Sequence, residues 1–580
     1  MLRKPPDNRA VADIFYSLAD FLDMDDVAFK PQSYRKAAYA VESLDQQVWE
    51  IYKTGGKKAL EQIPGVGAGI AGKIEELLIK GKVMDYERLY KKMPICLTEL
   101  RRIEGIGPKT IKVLYKKLGV RDLASLKKAA ASGQIKKLAR FGAKSEEKIL
   151  KGIDFFEVSH GRFFIGEVLP LARSLVKRMA AHKDIERIEY AGSIRRFEET
   201  VGDIDLLAVA KNSKPVMDFF TKFPEVRHIY AKGLTKTAVR LSNGIDVDLR
   251  VIPPESYGAA LQYFTGSKDH NVILRKAAIA KGLKLNEYGL FRGKKQVAGE
   301  TEESIYRALG FKTPIPELRQ GRCELEKVWY DIIDVEDIKG DLQVQSDWTD
   351  GSNSLTEIRA SARKLKHEYI AITDHTRSLA MTGGSDETKL RRQMREIDRL
   401  NLHRSGVTLL KGAEVNIMKD GSLDIDDRTL ELCDVVGAAI HSHFNLERQD
   451  QTERIIRAME NPHVDIIFHP TGRVLGKRAP YALDMQKLFT AARRTGTILE
   501  IDAHPSRLDL NGEHIREGVE EKVSFSIDSD AHSIHELEYL EYGVGQARRA
   551  GLSKTSVVNT LPLKEFRRLF RSPKLKRFSL

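Results

Sequence analysis

The run Gly192-Ser193-Ile194-Arg195-Arg196, followed by Gly202-Asp203-Ile204-Asp205, concentrates more chemistry than any other part of the chain. With the period-2 alternation of a strand, Asp203 and Asp205 leave one face while Ile204 and Leu206 bury the other. Two carboxylates on one face can share divalent cations. A third comes from a second alternating run, Ile245-Asp246-Val247-Asp248-Leu249-Arg250-Val251, in which Asp246 and Asp248 are rivals for the place. Upstream, Gly192-Ser193 predicts a tight turn whose backbone N–H groups can meet phosphate, with Arg195 and Arg196 beside it. Three carboxylates and a Gly-Ser cradle predict nucleotidyl transfer, with two metals clamping the attacking and leaving oxygens. A lone Asp-x-Asp is usually a solvated strand edge; the added turn and third acidic strand make that the poorer reading here.

A second chemical pattern fills the C-terminal half, where apolar strands end in metal-type ligands. Tyr369 to Ile372 runs into Asp374-His375, and Leu409 to Ala413 into Glu414. Val435 to Ile440 runs into His441 and His443, and Val464 to Phe468 into His469. Ile498 to Ile501 runs into Asp502 and His504, and Val523 to Ile527 into Asp528, Asp530 and His532. Ligands gathered at strand C-termini of a βα-repeat mark the mouth of a barrel. One buried His is more often a satisfied core residue, but six strands ending this way require metal.

The elements that must position these groups follow from length and charge. At 580 residues the chain exceeds a single core. No apolar run of membrane-spanning length occurs, and Met-Leu-Arg-Lys-Pro-Pro lacks the apolar stretch of a signal peptide. Cys96, Cys323 and Cys433 have neither metal-ligand spacing nor a disulfide framework, so a reducing cytoplasm is expected. The net charge of +14 is uneven: residues 91–155 hold 17 Lys/Arg against 6 Asp/Glu. The first 155 residues repeat one design. Ile63-Pro64-Gly65-Val66-Gly67 leads into Ile70-Ala71-Gly72-Lys73-Ile74, and Ile103-Glu104-Gly105-Ile106-Gly107 leads, past Lys109, into Thr110 to Leu114. A weaker copy is read at Phe141-Gly142-Ala143-Lys144. Each resembles a helix-hairpin-helix, in which glycines admit backbone amides to a DNA phosphate. One Gly-x-Gly would be only an αα corner; two beside a basic excess favour sequence-independent DNA binding.

Residues 1–318 closely resemble the family X DNA polymerases, on the two hairpins, Gly192 to Arg196, Gly202 to Asp205, Asp248-Leu249-Arg250-Val251-Ile252-Pro253 and Tyr263-Phe264-Thr265-Gly266-Ser267. The resemblance implies that Asp203, Asp205 and Asp248 hold two Mg²⁺, the family's Asp-apolar-Arg-apolar-x-Pro pattern selecting Asp248 over Asp246. It implies dNTP binding by Gly192, Ser193, Arg196, Gly202, Tyr263, Phe264, Gly266, Asn271 and Arg275, and DNA binding by Gly65, Gly67, Gly105, Gly107 and Lys109. Lys73 falls where the family's lyase domain places its Schiff-base lysine, and Tyr34, in Ser33 to Ala38, at its 5′-phosphate site; Lys73 could equally be a plain phosphate contact. The C-terminal half resembles the PHP domain of bacterial members, a distorted (βα)7 barrel with phosphoesterase chemistry. Asp350, His375, Glu414, His441, His469, Asp530 and His532 match its ligand positions. Its opening His-x-His does not recur, because the chain reads Asp341-Leu342-Gln343-Val344-Gln345. In the family layout both missing His share a metal with Glu414 and Asp530. One or two Mn²⁺ or Zn²⁺ ions and weakened or absent 3′→5′ exonuclease activity are therefore expected.

The expected architecture is multidomain: a lyase-like helical domain (1–85), a second helical subdomain (86–155), an α/β nucleotidyltransferase palm (156–255), a dNTP-selection subdomain or thumb (256–318), a linker (319–337) and the barrel (338–580). The expected protein is a cytoplasmic, nucleoid-associated monomer that fills gaps in primed DNA from dNTPs and binds no membrane. Three alternatives stay open: a nucleotidyltransferase for RNA or small substrates, a DNA-end-binding scaffold without live chemistry, and an active polymerase-exonuclease with rearranged PHP ligands, for which His443, His504 or Asp502 are the candidate substitutes.

Overall fold

The computed structural model describes residues 6, 8–25, 27, 30–42, 44, 46–63, 65–101, 103, 106–138, 141, 142, 145–147, 149, 150, 152, 153, 162–327, 329–379, 382–403 and 406–578. They fall into two compact units, Met1–Phe163 with Ala172–Tyr190 and Gly202–Tyr257, and Phe164–Leu171 with Ala191–Val201 and Gly258–Leu580. No helix among the described residues is long and apolar enough to cross a membrane.

The first unit opens with helices α1 (Asn8–Met24) and α2 (Lys30–Glu42), and its two hairpins lead into α3 (Ala68–Lys80) and α4 (Pro108–Leu118). Each hairpin seats its isoleucines in its own core: Ile63, Val66 and Ile74 pack with Phe15 and Ala37, while Ile103, Ile106 and Ile111 pack with Phe21 and Leu126. The sheet of this unit comprises β1 (Ile185–Tyr190), β2 (Asp203–Ala210), β3 (Val226–Lys232), β4 (Lys236–Leu241) and β5 (Asp246–Val251), in the order β1-β2-β5-β4-β3. Only β2 and β5 run parallel. Ile204, Leu206, Val247 and Leu249 are buried, which turns the intervening aspartates to the open face, as the alternation requires.

The second unit begins its thumb with α5 (Tyr257–Thr265) and α6 (Lys268–Ala280), the latter capped by Ser267 Oγ accepting from His270 N–H. A three-stranded meander of β6 (Lys284–Asn286), β7 (Gly289–Arg292) and β8 (Lys295–Ala298) follows. The stretch expected as a linker starts inside this packing. Arg319 is buried, pairs with Glu302 and donates to Pro314 O, and Glu324 meets buried His270 at 2.7 Å.

The barrel consists of β9 (Gly340–Val344), β10 (Tyr369–Ile372), β11 (Thr408–Asn416), β12 (Val435–Ala439), β13 (Ile466–Ile467), β14 (Ile498–Asp502) and β15 (Phe525–Asp528), all parallel and sequential. A bridge between Val344 and Ala531 brings β9 back beside β15 and nearly closes it. Helices α7 (Leu540–Ala550) and α8 (Leu563–Arg571) follow the last strand.

Candidate active site and metal centre

The register β2–β5 sets Asp203 opposite Asp246 and Asp205 opposite Asp248. Arg240 on β4 takes Asp246 in a bidentate pair, with both contacts 2.8 Å. Asp248 instead meets Lys236 Nζ at 3.0 Å and Arg250 at 3.9 Å. Burial pushes the Lys236 amine down to about 8, the Asp248 charge opposing it. A cation thus already sits against this carboxylate.

The Gly192-Ser193 turn belongs to the second unit, and its neighbours explain why. Gly192 adopts φ 68°, a region that glycine reaches without strain. Arg195 holds Glu302 bidentately at 3.0 and 2.7 Å and Thr265 Oγ1 at 2.7 Å, while Arg196 donates to Thr265 O. Burial would raise the Glu302 carboxyl, but Arg319 and Arg195 hold it down at about 2. The rest of the turn is fastened to the barrel. Arg549 donates to Arg196 O at 2.8 Å and pairs with Glu198 at 2.9 Å. Arg473 grips Glu199 at 3.1 and 2.7 Å and also donates to Leu508 O. Gln546 donates to Phe197 O at 2.9 Å, and the Phe197 ring lies so close to Gly545 that a Cβ there would fall 2.2 Å away.

Tyr263 and Phe264 are half-buried and edge-on, with centroids 5.0 Å apart. Asn271 Nδ2 donates to Tyr263 O at 2.8 Å, and the Arg275 guanidinium covers the Tyr263 ring at 5.5 Å. Gly266, at φ 66°, follows this helix beside Arg196.

In the hairpins, Gly67 and Gly107 are the N-caps of α3 and α4, and neither helix has a side-chain cap. A Cβ on either would meet nothing within 4 Å, so both turns stand open to close approach from outside. Gly65 has φ 87°; Gly105, its counterpart, lies outside the described residues, as do Ala143 and Lys144 of the third copy. Lys109 stands in the first turn of α4. Lys73 donates to Asp85, and although burial lowers its basicity, Asp85 and Tyr34 raise it on balance.

At the barrel mouth two ligand triads form: Asp350, His375 and His532, and His375, Glu414 and His441. In the first, Asp350 Oδ2 lies 3.7 Å from Nε2 of both His375 and His532. That is long for a hydrogen bond and close to the roughly 3.4 Å between ligands on a tetrahedral metal with 2.0–2.1 Å bonds. Glu414 is enclosed by donors: His441 at 3.1 Å, His469 at 3.0 Å, Gln345 Nε2 at 2.8 Å and Gln343 Nε2 at 3.2 Å. Burial alone would raise its pKa, yet His375, His441 and His469 hold it well below the usual carboxylate range. Asp530 and Asp502 each lie 3.3 Å from Arg507 Nε. His469 and Asp530 carry φ of 31° and 50°, backbone strain of the kind that gathers at functional sites.

Family models match residues 260–320 (DNA polymerase beta thumb), 6–83 (helix-hairpin-helix domain) and 97–154 (SAM-like helix-hairpin-helix tandem). The chain is 37% identical over 549 residues to the DNA polymerase/3′-5′ exonuclease PolX of Bacillus subtilis, covering 93% of this chain and 95% of that protein. This chain belongs to the family X DNA polymerases. It is also 25% identical to DNA polymerase lambda of Arabidopsis thaliana, over 53% of this chain and 61% of that one. A probable phosphatase of Thermoanaerobacter is 32% identical over 27% of this chain and 65% of its own. The polymerase is accordingly a DNA-directed DNA polymerase with a C-terminal PHP-type barrel, and divalent-metal chemistry belongs to its family.

The donor sets of this polymerase fit metals unevenly. Three aspartates on one palm face offer hard oxygens suited to Mg²⁺. In the barrel, Asp350, His375 and His532 suit Zn²⁺ or Mn²⁺, while His375 Nδ1 lies 3.4 Å from Glu414 without hydrogen-bond geometry. The position that an opening His-x-His would share with Glu414 and Asp530 does not fit. Both glutamines turn N–H donors at Glu414, their Oε1 atoms are buried without partners, and a guanidinium faces Asp530. His443, His504 and Asp502, sequence candidates for substitute ligands, enter neither triad. Sequence reading missed Arg507, Lys236 and the Arg473–Arg549 grip. None carries a motif, because each is defined by a partner that only the folded chain brings to it.

Proposed function

We propose that this polymerase fills short gaps in DNA during repair, extending a primer 3′-OH with dNTPs at Asp203, Asp205 and Asp248. The observation that carries this is the β2–β5 register, which lines up Asp205 with Asp248 while Arg240 withdraws Asp246. Two Mg²⁺ bound there would supply Lewis acidity to the attacking 3′ oxygen and the departing pyrophosphate. Gly192, Ser193 and Arg196 would take the triphosphate, with Gly202 and Gly266 allowing close backbone approach. Tyr263 and Phe264 would press the sugar, held by Asn271 and Arg275. The protein acts as a monomer on gapped or primed DNA, in the cytoplasm at the nucleoid. Primer extension on gapped against nicked duplexes in Mg²⁺ tests the assignment; extension that ignores the gap sinks it.

DNA holding is assigned to the paired hairpins. Replacing both Gly67 and Gly107 by leucine is expected to leave the melting temperature unchanged, because each Cβ enters open space at φ −81° and −105°. It should nevertheless lower duplex affinity roughly tenfold, as amide–phosphate contacts are lost, while the salt slope changes little because a neutral amide displaces no counterion. A fluorescence-anisotropy salt titration checks this, and wild-type behaviour of the folded variant would contradict it. A Schiff base needs a neutral amine, and Asp85 keeps Lys73 charged, which favours a plain phosphate contact for Lys73 over lyase chemistry.

For the barrel, the eroded ligand set favours weak nuclease activity at one metal, and the grip on the turn favours a second role. Arg473 and Arg549 fix the backbone and acids flanking Ser193 and Arg196, so the barrel pre-organises the nucleotide cradle. Arg473→Met with Arg549→Met is expected to raise KM for dNTP about tenfold while gapped-DNA affinity stays within a few-fold. Steady-state kinetics with a binding control measures both. An unchanged KM would remove this role and leave the carboxylate assignment intact.

A further inference from the structure

Helix α8 carries a groove of about 530 Å³ lined by Leu563, Lys564, Arg567, Arg568, Arg571 and Ser572. The four cations recur at i, i+3, i+4 and i+7, hence on one helix face. The opposite face is anchored. Phe566 is buried, stacks on Phe570 at 4.1 Å and packs on Tyr369 at 4.7 Å. Beyond the helix, Arg577 pairs with Asp465 at 2.5 Å and Lys574 donates to Asn461 O at 3.1 Å. The groove is therefore a fixed platform. Tyr369 begins β10 whereas His375 lies past that strand's other end, so the groove occupies the end of the barrel opposite the metal triads.

Among the described residues no carboxylate lies within ion-pair distance of these four side chains, no acid lines the groove, and Arg567 Nε is buried without a hydrogen-bond partner. Like charges at these spacings repel one another, which costs stability unless an anion intervenes. We propose that this groove binds the phosphate backbone of duplex DNA, as a second DNA contact of the polymerase. At ~1.5 Å rise per residue, Lys564 and Arg571 stand about 10 Å apart along the helix. A DNA strand presents a phosphate every ~3.4 Å of axis, so the face matches about three phosphates. No aromatic side chain lines the groove to stack an unpaired base, which favours duplex over single strands. Once one part of the chain holds DNA, this contact becomes intramolecular and adds to retention on long duplexes.

The test is duplex binding by the full chain carrying Arg567→Gln, Arg568→Gln and Arg571→Gln, followed by anisotropy across a salt series. The expected result is roughly tenfold weaker binding and a log–log salt slope shallower by about two to three. The triple lysine variant should retain most of the affinity, since charge and not fork geometry carries the contact. A glutamine variant with unaltered melting temperature and wild-type affinity and slope overturns the proposal. So does loss of binding only to single-stranded DNA, or only to phosphatidylglycerol vesicles, with duplex binding unaffected.

Discussion

Asp205→Ala is expected to cut nucleotide incorporation about a thousandfold or more, some 4 kcal/mol of transition-state stabilisation, while gapped-DNA affinity stays within a few-fold. Asp205 stands on the open face of β2, level with Asp248, and its neighbours Ile204 and Leu206 keep the strand in the core. Alanine therefore removes a shared oxygen ligand without opening a cavity. The clamp acts mainly on charge that develops during attack, whereas the hairpins supply affinity through phosphate contacts. Asp246→Ala provides the matched control: it breaks the Arg240 pair one step along the same face and should cost far less activity. Single-turnover extension in Mg²⁺ measures both variants. Normal extension by Asp205→Ala, or equal collapse of both, would overturn the assignment of the triad.

What could be read in advance was what depends on near neighbours in sequence. Strand alternation alone predicts that Asp203, Asp205 and Asp248 share an open face, and the paired Gly-x-Gly spacing predicts both hairpins. Alternation could not separate Asp246 from Asp248, since both leave the same face; what differs between them is the cation each meets, Arg240 in a bidentate pair against Asp246 and Lys236 in a single contact with Asp248. The fastening of the Gly-Ser turn to the barrel was equally hidden. It rests on pairs such as Arg473–Glu199, 274 residues apart, for which no local periodicity exists. Arg507 was missed for a different reason: Pro505-Ser506-Arg507 reads as an ordinary loop until folding sets its guanidinium between Asp502 and Asp530.

The barrel gives the second large expectation. The purified polymerase should show little Mn²⁺-dependent 3′→5′ exonuclease activity and bind one metal in the barrel, and Gln343→His with Gln345→His should raise the activity. By the resemblance to the PHP pattern, seven of its nine ligand positions would be met, and both gaps would fall on one metal. Losing two imidazoles from a four-ligand site should cost several kcal/mol of metal binding, a substantial part of the about 10–16 kcal/mol that a structural zinc supplies. The geometry adds a reason beyond the missing ligands. Gln343 and Gln345 point donors at Glu414, neutralising the lone pairs that a metal would need, and Arg507 supplies positive charge beside Asp530. Histidine at 343 and 345 would turn lone pairs inward, but the Arg507 cation would still oppose a divalent ion there. The double variant should therefore regain activity by about tenfold, and adding Arg507→Met should carry metal stoichiometry from one towards two. Metal analysis of the dialysed protein and cleavage of a 3′-labelled strand read the two effects separately. Robust exonuclease from the wild-type chain, abolished by His375→Ala, would mean that the barrel works without the missing pair and that this reading of its defect is wrong.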